Sequence, residues 1–133
     1  MSEAPQKQTI LIIDDSKDFL EIFSMKLTQA GYEVVTAISG KTGIEKAKTC
    51  HPDLVLLDVE MPEMNGMETL AKMKEDLATS SFKIAFLTNY GEPSKDTTWI
   101  DEKFAREAGA IDYIKKSEDL PKVVDEVKKL LKI

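Results

Sequence analysis

The chain has 133 residues, of which 42% are hydrophobic and 32% charged, and these proportions are typical of a soluble globular domain. Its net charge of −6 argues against direct nucleic-acid binding, because contacts to phosphate need clustered lysine and arginine. No apolar stretch reaches the ~18 residues of a membrane span, and no signal-peptide core is present, so we expect a cytoplasmic protein. The single cysteine, Cys50, excludes an intramolecular disulfide and fits a reducing compartment.

Strand and helix patterns alternate along the chain after a polar segment at 1–8, which predicts a flexible tail. The first strand is predicted over Thr9–Asp14 because its apolar run is continuous, as in strands buried on both faces. The first helix is predicted to begin after Ser16, a favoured N-cap residue, and to end near Gly31. Its apolar residues recur at helical spacing, at Phe19, Ile22, Phe23 and Leu27.

The middle of the chain continues the same alternation. Glu33–Ala37 has the β-branched content of a strand, and the next helix is predicted to begin after Ser39, its N-cap candidate. A third, continuously apolar strand occupies Leu54–Asp58 and is followed by a loop over Val59–Gly66, which contains the turn pair Asn-Gly. The third helix is predicted over Met67–Leu77. Its apolar face is expected to consist of Leu70, Met73 and Leu77.

Two more strand–helix units complete the chain. The fourth strand is predicted over Lys83–Thr88 and the fourth helix over Trp99–Ala108, with the long polar segment Asn89–Thr98 between them. A short fifth strand at Asp112–Lys115 precedes the last helix, which is predicted from Pro121 to Leu131. Five units in this order predict a doubly wound α/β domain with five parallel strands, because right-handed crossovers place helices on both faces of the sheet.

Three aspartates stand where two of these strands end. The apolar run Ile10–Ile13 leads into Asp14 and Asp15, and Leu54–Leu57 leads into Asp58. The carboxyl ends of parallel strands meet at one crevice, which is where open α/β sheets bind ligands. Three carboxylates in one place need a cation or a raised pKa, and a hard divalent ion with oxygen ligands is the simplest solution. Strand-end capping explains each aspartate singly but does not require all three.

This arrangement resembles the receiver domain of response regulators, and in particular the stand-alone receivers of chemotaxis and phosphorelay proteins. The resemblance covers residues 9–133 and implies a flavodoxin-like fold with strand order 2-1-3-4-5. It also implies a single receiver domain over that range, for which we expect no output domain. The motifs that carry it are Asp14-Asp15, the segment Pro52–Gly66 around Asp58, Thr88, and Asp112–Lys116.

The resemblance assigns the carboxylates to phosphoryl chemistry. Asp58 would be the phosphoacceptor, and an aspartate carboxylate is an established nucleophile that forms acyl phosphates. Mg²⁺ would be the cofactor, with Asp14, Asp15, Asp58 and the backbone carbonyl of Glu60 around it and Asp14 acting mainly through water. A site with so few protein ligands suits Mg²⁺, which keeps several of its waters.

The resemblance also supplies the residues that would surround a phosphoryl group. A lysine is expected at Lys116, with Lys115 as the adjacent alternative, and strand alternation allows only one of them to face the crevice. Thr88 would donate its hydroxyl to a phosphoryl oxygen, and Asn89 would contact the same group. Thr88 and Tyr113 would form the switch pair that moves on phosphorylation.

The phosphoryl donor must be another molecule, because the single histidine, His51, precedes Pro52 at a helix-to-strand connection, away from the aspartates. The resemblance implies a histidine kinase or a histidine phosphotransfer protein as donor, or a small acyl phosphate. It implies a downstream protein partner that binds at the fourth helix, the fifth strand and the last helix. We do not expect a turnover enzyme or membrane contact.

Departures from the family pattern keep an alternative open. Asn89 stands where a small residue is usual, Ser117 stands where proline is usual, and the polar segment at 89–98 is long. These features favour, as a second hypothesis, a receiver-like interaction module that works without phosphorylation. A weaker third hypothesis is a phosphohydrolase with an aspartyl intermediate, because Glu60 has the spacing from Asp58 that such enzymes use for a second acid.

Overall fold

The fold was obtained as a computed structural model, which describes residues 7–88, 109–116 and 119–131. All five strands are parallel and lie in the order β2-β1-β3-β4-β5, which confirms the predicted doubly wound sheet and its strand order. The helix predicted over Trp99–Ala108 and the segment Asn89–Thr98 lie outside the described residues. The elements of the described part are β1 (Thr9–Ile13), α1 (Lys17–Gln29), β2 (Glu33–Ala37), α2 (Gly40–Cys50), β3 (Leu54–Asp58), α3 (Gly66–Glu75), β4 (Ile84–Thr88), β5 (Asp112–Lys115) and α4 (Leu120–Leu131).

The sheet separates two hydrophobic clusters, because successive side chains of a strand point to opposite faces. On one face, Ile10 and Ile12 of β1 pack with α1 and α4, and we call this side the α1 face. On the other, Leu11 and Ile13 pack with α2 and α3, and we call this side the α2 face. The central strands β1 and β3 are therefore buried on both sides, as their continuous apolar sequence predicts.

Local signals in the sequence set the helix starts. The side chain of Ser16 accepts a hydrogen bond from the backbone N–H of Phe19 and caps α1, and Ser39 caps α2 through Thr42 in the same way. Gly31, just beyond α1, has a φ of 104°, a left-handed conformation that glycine adopts without strain. Both serines were predicted as caps, and both predictions are confirmed.

Two predicted apolar positions are not in the core. Ile22 is 49% exposed, because the buried stripe of α1 is formed by residues that lie on another side of the helix. Leu77 is 93% exposed, because α3 ends at Glu75 and the next residue, Asp76, leaves the helical conformation. The end of α3 is stabilised by the buried hydroxyl of Thr79, which donates to the backbone carbonyl of Met73 at 2.6 Å.

No helix in the described ranges combines the length and the apolar character that crossing a bilayer requires.

Candidate functional site

The pairing of β1 and β3 brings the aspartates together. Ile13 lies opposite Leu57 in the parallel register, so the following residues, Asp14 and Asp58, lie side by side at the carboxyl edge of the sheet. One carboxylate oxygen from each of Asp14, Asp15 and Asp58 falls within 4.8 Å of the others. Asp14 is fully buried and Asp58 is buried, whereas Asp15 is exposed. The structure thus assembles the predicted cluster.

Lys116 closes the site from the side of β5. Its backbone N–H donates to the carbonyl of Thr88 at 2.7 Å, which extends the β4–β5 pairing one residue beyond the strand. Its Nζ lies 2.5 Å from Oδ2 of Asp14 and 3.5 Å from Oδ1 of Asp58. Lys115 is exposed. Of the two candidate lysines, Lys116 therefore faces the carboxylates.

Strand alternation explains this choice between the lysines. Ile114 is buried on the α1 face, so Lys116, two residues later, continues on that face. Asp14 and Asp58 follow the α1-face residues Ile12 and Leu56 with the same spacing. The two buried carboxylates and the ammonium therefore approach the crevice from one side of the sheet.

Burial changes the acidity of the proposed phosphoacceptor. The pKa of Asp58 is raised from 3.8 to about 7, first by removal from water and next by the negative charge of Asp14. Lys116 opposes this rise, and the charge of Asp15 adds to it. The electrostatic balance among these groups thus disfavours the ionised form of Asp58, and a cation held in the crevice would favour that form.

The donor atoms fit Mg²⁺. They are carboxylate oxygens from three aspartates, the hard ligands that this ion prefers. Oδ1 of Asp14 accepts a hydrogen bond from the backbone N–H of Ser16 at 2.9 Å. Oδ2 of Asp14 is buried, accepts no aligned hydrogen bond from the residues that the structure describes, and forms an ion pair with Lys116. Glu60 is exposed two residues after Asp58, and the role of its backbone carbonyl stays a prediction.

The loop from β3 to α3 is held close to the site by a glycine. The backbone N–H of Gly66 donates to the carbonyl of Val59 at 2.8 Å. A Cβ atom on Gly66 would collide with the backbone oxygen of Asp58 and would lie 2.9 Å from Cα of Val59. The first residue of α3 must therefore lack a side chain for the loop to keep this conformation.

The start of α3 carries a signal that the sequence interpretation missed. Asn65 and Gly66 were interpreted as a turn inside the loop, whereas Asn65 is the N-cap of α3. Its side chain accepts from the backbone N–H of Glu68 at 2.9 Å, and the side chain of Glu68 accepts from the N–H of Asn65 at 3.0 Å. This capping box could have been predicted from the spacing of Asn and Glu.

The predicted switch residues share the other face of the sheet. Thr88 is buried at the end of β4, two residues after Phe86, which packs on the α2 face. Tyr113 lies opposite Phe86 in the register of β4 and β5 and is half-buried against the same cluster. Asn89 lies outside the described residues. The structure therefore places Thr88 and Tyr113 near each other, and their movement on phosphorylation stays a prediction.

Sequence comparison identifies the family to which this site belongs. The profile of the response regulator receiver domain matches residues 10–128 of the chain. This chain belongs to the response regulator receiver domain family. The resemblance found in the motifs is thereby confirmed. Receiver domains of this type are signalling switches of phosphorelays rather than turnover enzymes, and they bind Mg²⁺ at an acidic pocket of the kind formed by the three aspartates.

Relatives of this receiver domain include stand-alone and longer proteins. A probable cyclic di-GMP phosphodiesterase of Vibrio cholerae is 39% identical over 113 residues, which cover 85% of this chain but 24% of that protein. The chain therefore spans about a quarter of that relative. The polar-differentiation response regulator DivK of Brucella ovis is 26% identical over 124 residues, which cover 93% of this chain and 96% of DivK.

Solved structures show the same fold. A putative response regulator from Chloroflexus aurantiacus superposes with a TM-score of 0.79 at 30% identity, covering 95% of this chain and 98% of the other. The chemotaxis protein CheY4 of Vibrio cholerae has a TM-score of 0.79 at 26% identity, covering 95% of this chain and all of CheY4. Receiver domains of these types interact with kinases or phosphotransfer proteins and with downstream targets.

Proposed function

We propose that residues 9–133 act as one receiver domain, a phosphorylation-dependent switch that accepts a phosphoryl group on Asp58 in the presence of Mg²⁺. The arrangement of charges around Asp58 carries the proposal. Its carboxylate lies at a strand end beside the buried Asp14 and the exposed Asp15, with the ammonium of Lys116 3.5 Å away. A nucleophilic carboxylate thus has anionic oxygens for a divalent ion and a fixed cation for the incoming phosphoryl oxygens.

The reaction uses the residues as follows. An oxygen of Asp58 attacks the phosphorus of the donor, and a P–O bond forms. The P–N bond of a phosphohistidine, or the P–O bond of an acyl phosphate, breaks, and imidazole or a carboxylate leaves with the electron pair. When bound, Mg²⁺ supplies positive charge that offsets the charge on the carboxylates and the phosphoryl oxygens. Lys116 and the hydroxyl of Thr88 contact the transferred group, and we also assign Asn89 to that contact.

The metal would be held by Asp14, Asp15, Asp58 and the backbone carbonyl of Glu60. The fully buried Asp14 would act mainly through water, and the exposed Asp15 would bind directly. We expect Asp15→Asn to weaken Mg²⁺ binding, measured by calorimetric titration. Glu63→Gln, which removes a charge from an exposed residue of the following loop, is the control.

The output would be a new binding surface. Thr88 moves toward the phosphoryl group, and Tyr113, on the same face of the sheet, moves with it into the space that Thr88 leaves. The downstream protein partner would bind at β5, α4 and the segment 99–108. The donor would be a histidine kinase or a histidine phosphotransfer protein in the cytoplasm.

The test is incubation with acetyl phosphate and Mg²⁺, followed by intact-mass measurement. We expect one phosphoryl adduct on the wild type, none on Asp58→Asn, and none when EDTA removes the metal. Asp53→Asn is a matched control, because Asp53 precedes the same strand at its opposite end, where it accepts from the N–H of Thr9 at 2.7 Å. An equal adduct on Asp58→Asn, or no adduct on the wild type, would contradict the proposal.

A further inference from the structure

The ammonium of Lys116 has a third neighbour besides the two carboxylates. Its Nζ lies 4.5 Å from the centroid of the Phe19 ring, on the face of the ring. This distance is within the ~6 Å at which a cation is attracted by the negative face of an aromatic ring. The Lys116 side chain is only 13% exposed, so water screens the contact weakly. Phe19 was predicted from its helical spacing as a packing residue, and this contact gives it a second role.

The ring of Phe19 packs against a second aromatic ring on the side of the hydrophobic core. It stacks on Phe23, with ring centroids 5.1 Å apart and an interplanar angle of 29°. Phe23 is fully buried in the cluster on the α1 face. The aromatic surface under Lys116 therefore rests on the hydrophobic core, and its position is set by packing rather than by the lysine.

Ser16 connects the aromatic ring to the carboxylate. Its backbone N–H donates to Oδ1 of Asp14 at 2.9 Å, and its hydroxyl accepts from the backbone N–H of Phe19 at 3.2 Å. One residue, the N-cap of α1, thus holds two of the groups that contact the ammonium. The start of the helix therefore acts as a rigid frame for Lys116.

A lysine needs such a frame because its ammonium is carried on four flexible methylene groups. The two carboxylates attract it from one side, and they also attract the metal ion that the proposed function requires. When that ion neutralises Asp14 and Asp58, the electrostatic attraction for Lys116 falls. The contact with Phe19 does not depend on the charge of the carboxylates.

We infer that Phe19 is a positioning residue that holds the Lys116 ammonium over the crevice for phosphoryl transfer to Asp58. This inference rests on the proposed function of Asp58 and adds a role for a residue of α1. It predicts that the aromatic character of position 19, rather than its size, determines how well Lys116 contacts the incoming phosphoryl group.

The contact can be observed directly by NMR, without any phosphorylation. We expect the Cε protons of Lys116 to be shifted upfield by the ring current of Phe19. The shift should disappear in Phe19→Leu and persist in Phe19→Tyr, which retains the ring. Met25→Leu is the control, because Met25 is an exposed residue of the same helix. An unshifted Lys116 resonance in the wild type would overturn the inference.

The functional measurement is the rate of phosphorylation by acetyl phosphate and Mg²⁺. We expect Phe19→Leu to be about five- to thirty-fold slower than the wild type, which corresponds to the usual strength of a partly desolvated cation–π contact. Phe19→Tyr and Met25→Leu should stay within about two-fold. In a Lys116→Met background, Phe19→Leu should cause no further loss, because its effect passes through the lysine.

The outcomes separate the two proposals. If the wild type accepts no phosphoryl group, the proposed function is wrong, and so is this role of Phe19. If the wild type and Phe19→Leu are phosphorylated at the same rate, the role of Phe19 is overturned and the proposed function is not. An equal loss from Phe19→Leu with and without Lys116 would also overturn it, because a general effect on folding produces that result.

Discussion

Lys116 lies closer to Asp14 than to Asp58. Its Nζ is 2.5 Å from Oδ2 of Asp14 and 3.5 Å from Oδ1 of Asp58. Asp14 is fully buried, so the lysine is the counter-charge of a carboxylate that water cannot reach. In the protein without a divalent ion, Lys116 therefore stabilises the site. Under the proposed function, a bound divalent ion would share this task, and the ammonium would then be available to a phosphoryl oxygen.

Removal of this counter-charge should destabilise the metal-free protein. We expect Lys116→Met to lower the free energy of unfolding by about 3 kcal/mol in EDTA, because a buried carboxylate is left without its partner. Urea denaturation at neutral pH measures the change. Lys115→Met, at an exposed neighbouring position, should change the free energy by less than about 1 kcal/mol. Addition of Mg²⁺ should reduce the deficit of Lys116→Met, and equal losses in the two variants would contradict this expectation.

Asp58 should make the stability of the metal-free protein depend on pH. Its pKa is about 7 in the folded chain, against about 3.9 for an unperturbed aspartate. At a pH between these two pKa values, Asp58 is therefore protonated in the folded state and ionised in the unfolded state. This contribution to stability is complete below about pH 4 and is lost as the pH rises through about 7.

Asp58→Asn removes that dependence. In EDTA at pH 8, we expect the variant to be more stable than the wild type, by on the order of 4 kcal/mol from a shift of about three pKa units. The difference should shrink steadily toward pH 4. Urea denaturation across this pH range provides the measurement, with Asp53→Asn as the control at the opposite end of β3. A difference that is the same at pH 4 and pH 8 would show that Asp58 does not titrate in this way.

Gly66 should not tolerate a side chain. The Cβ of Gly66→Ala would meet the backbone of Asp58 and Val59, which cannot move without shifting the end of β3. We expect a loss of about 1–3 kcal/mol in unfolding free energy, and weaker Mg²⁺ binding, because the clash lies on the backbone of Asp58 itself. Lys72→Ala, at an exposed position of the same helix, should stay within about 0.5 kcal/mol. Unchanged Mg²⁺ affinity in Gly66→Ala would argue against this coupling.

Thr88 should be needed for the response of Tyr113 to a phosphoryl group on Asp58. Thr88→Val keeps the volume of a buried side chain and removes its hydroxyl. On addition of Mg²⁺ and beryllofluoride, a mimic of the phosphoryl group, we expect the ring resonances of Tyr113 to shift in the wild type and to shift far less in the variant. Ser39→Ala, which removes a hydroxyl from the N-cap of α2, is the control. The switch assignment fails if Tyr113 responds equally in Thr88→Val.

Much of the fold could be predicted because its signals are local. Continuous apolar runs identified β1 and β3, and β2, β3 and β5 have the predicted bounds. Serine caps identified the starts of α1 and α2. The predictions failed where a helix had to be oriented against the sheet. Ile22 fits a helical pattern but lies off the buried stripe, and Leu77 lies beyond an end of α3 that the Thr79 hydroxyl stabilises.

The sequence by itself determined the strand ends, and hence that Asp14, Asp15 and Asp58 would gather at one edge of a parallel sheet. Strand periodicity and the parallel arrangement are enough for that conclusion, because the backbone alone brings the ends of parallel strands to one edge of the sheet. Only the tertiary structure decided that Lys116 rather than Lys115 faces the carboxylates, and that Phe19 lies beneath its ammonium. These contacts join distant parts of the chain through their side chains, and their geometry exists only once α1 packs on the face of the sheet that carries Ile114 of β5.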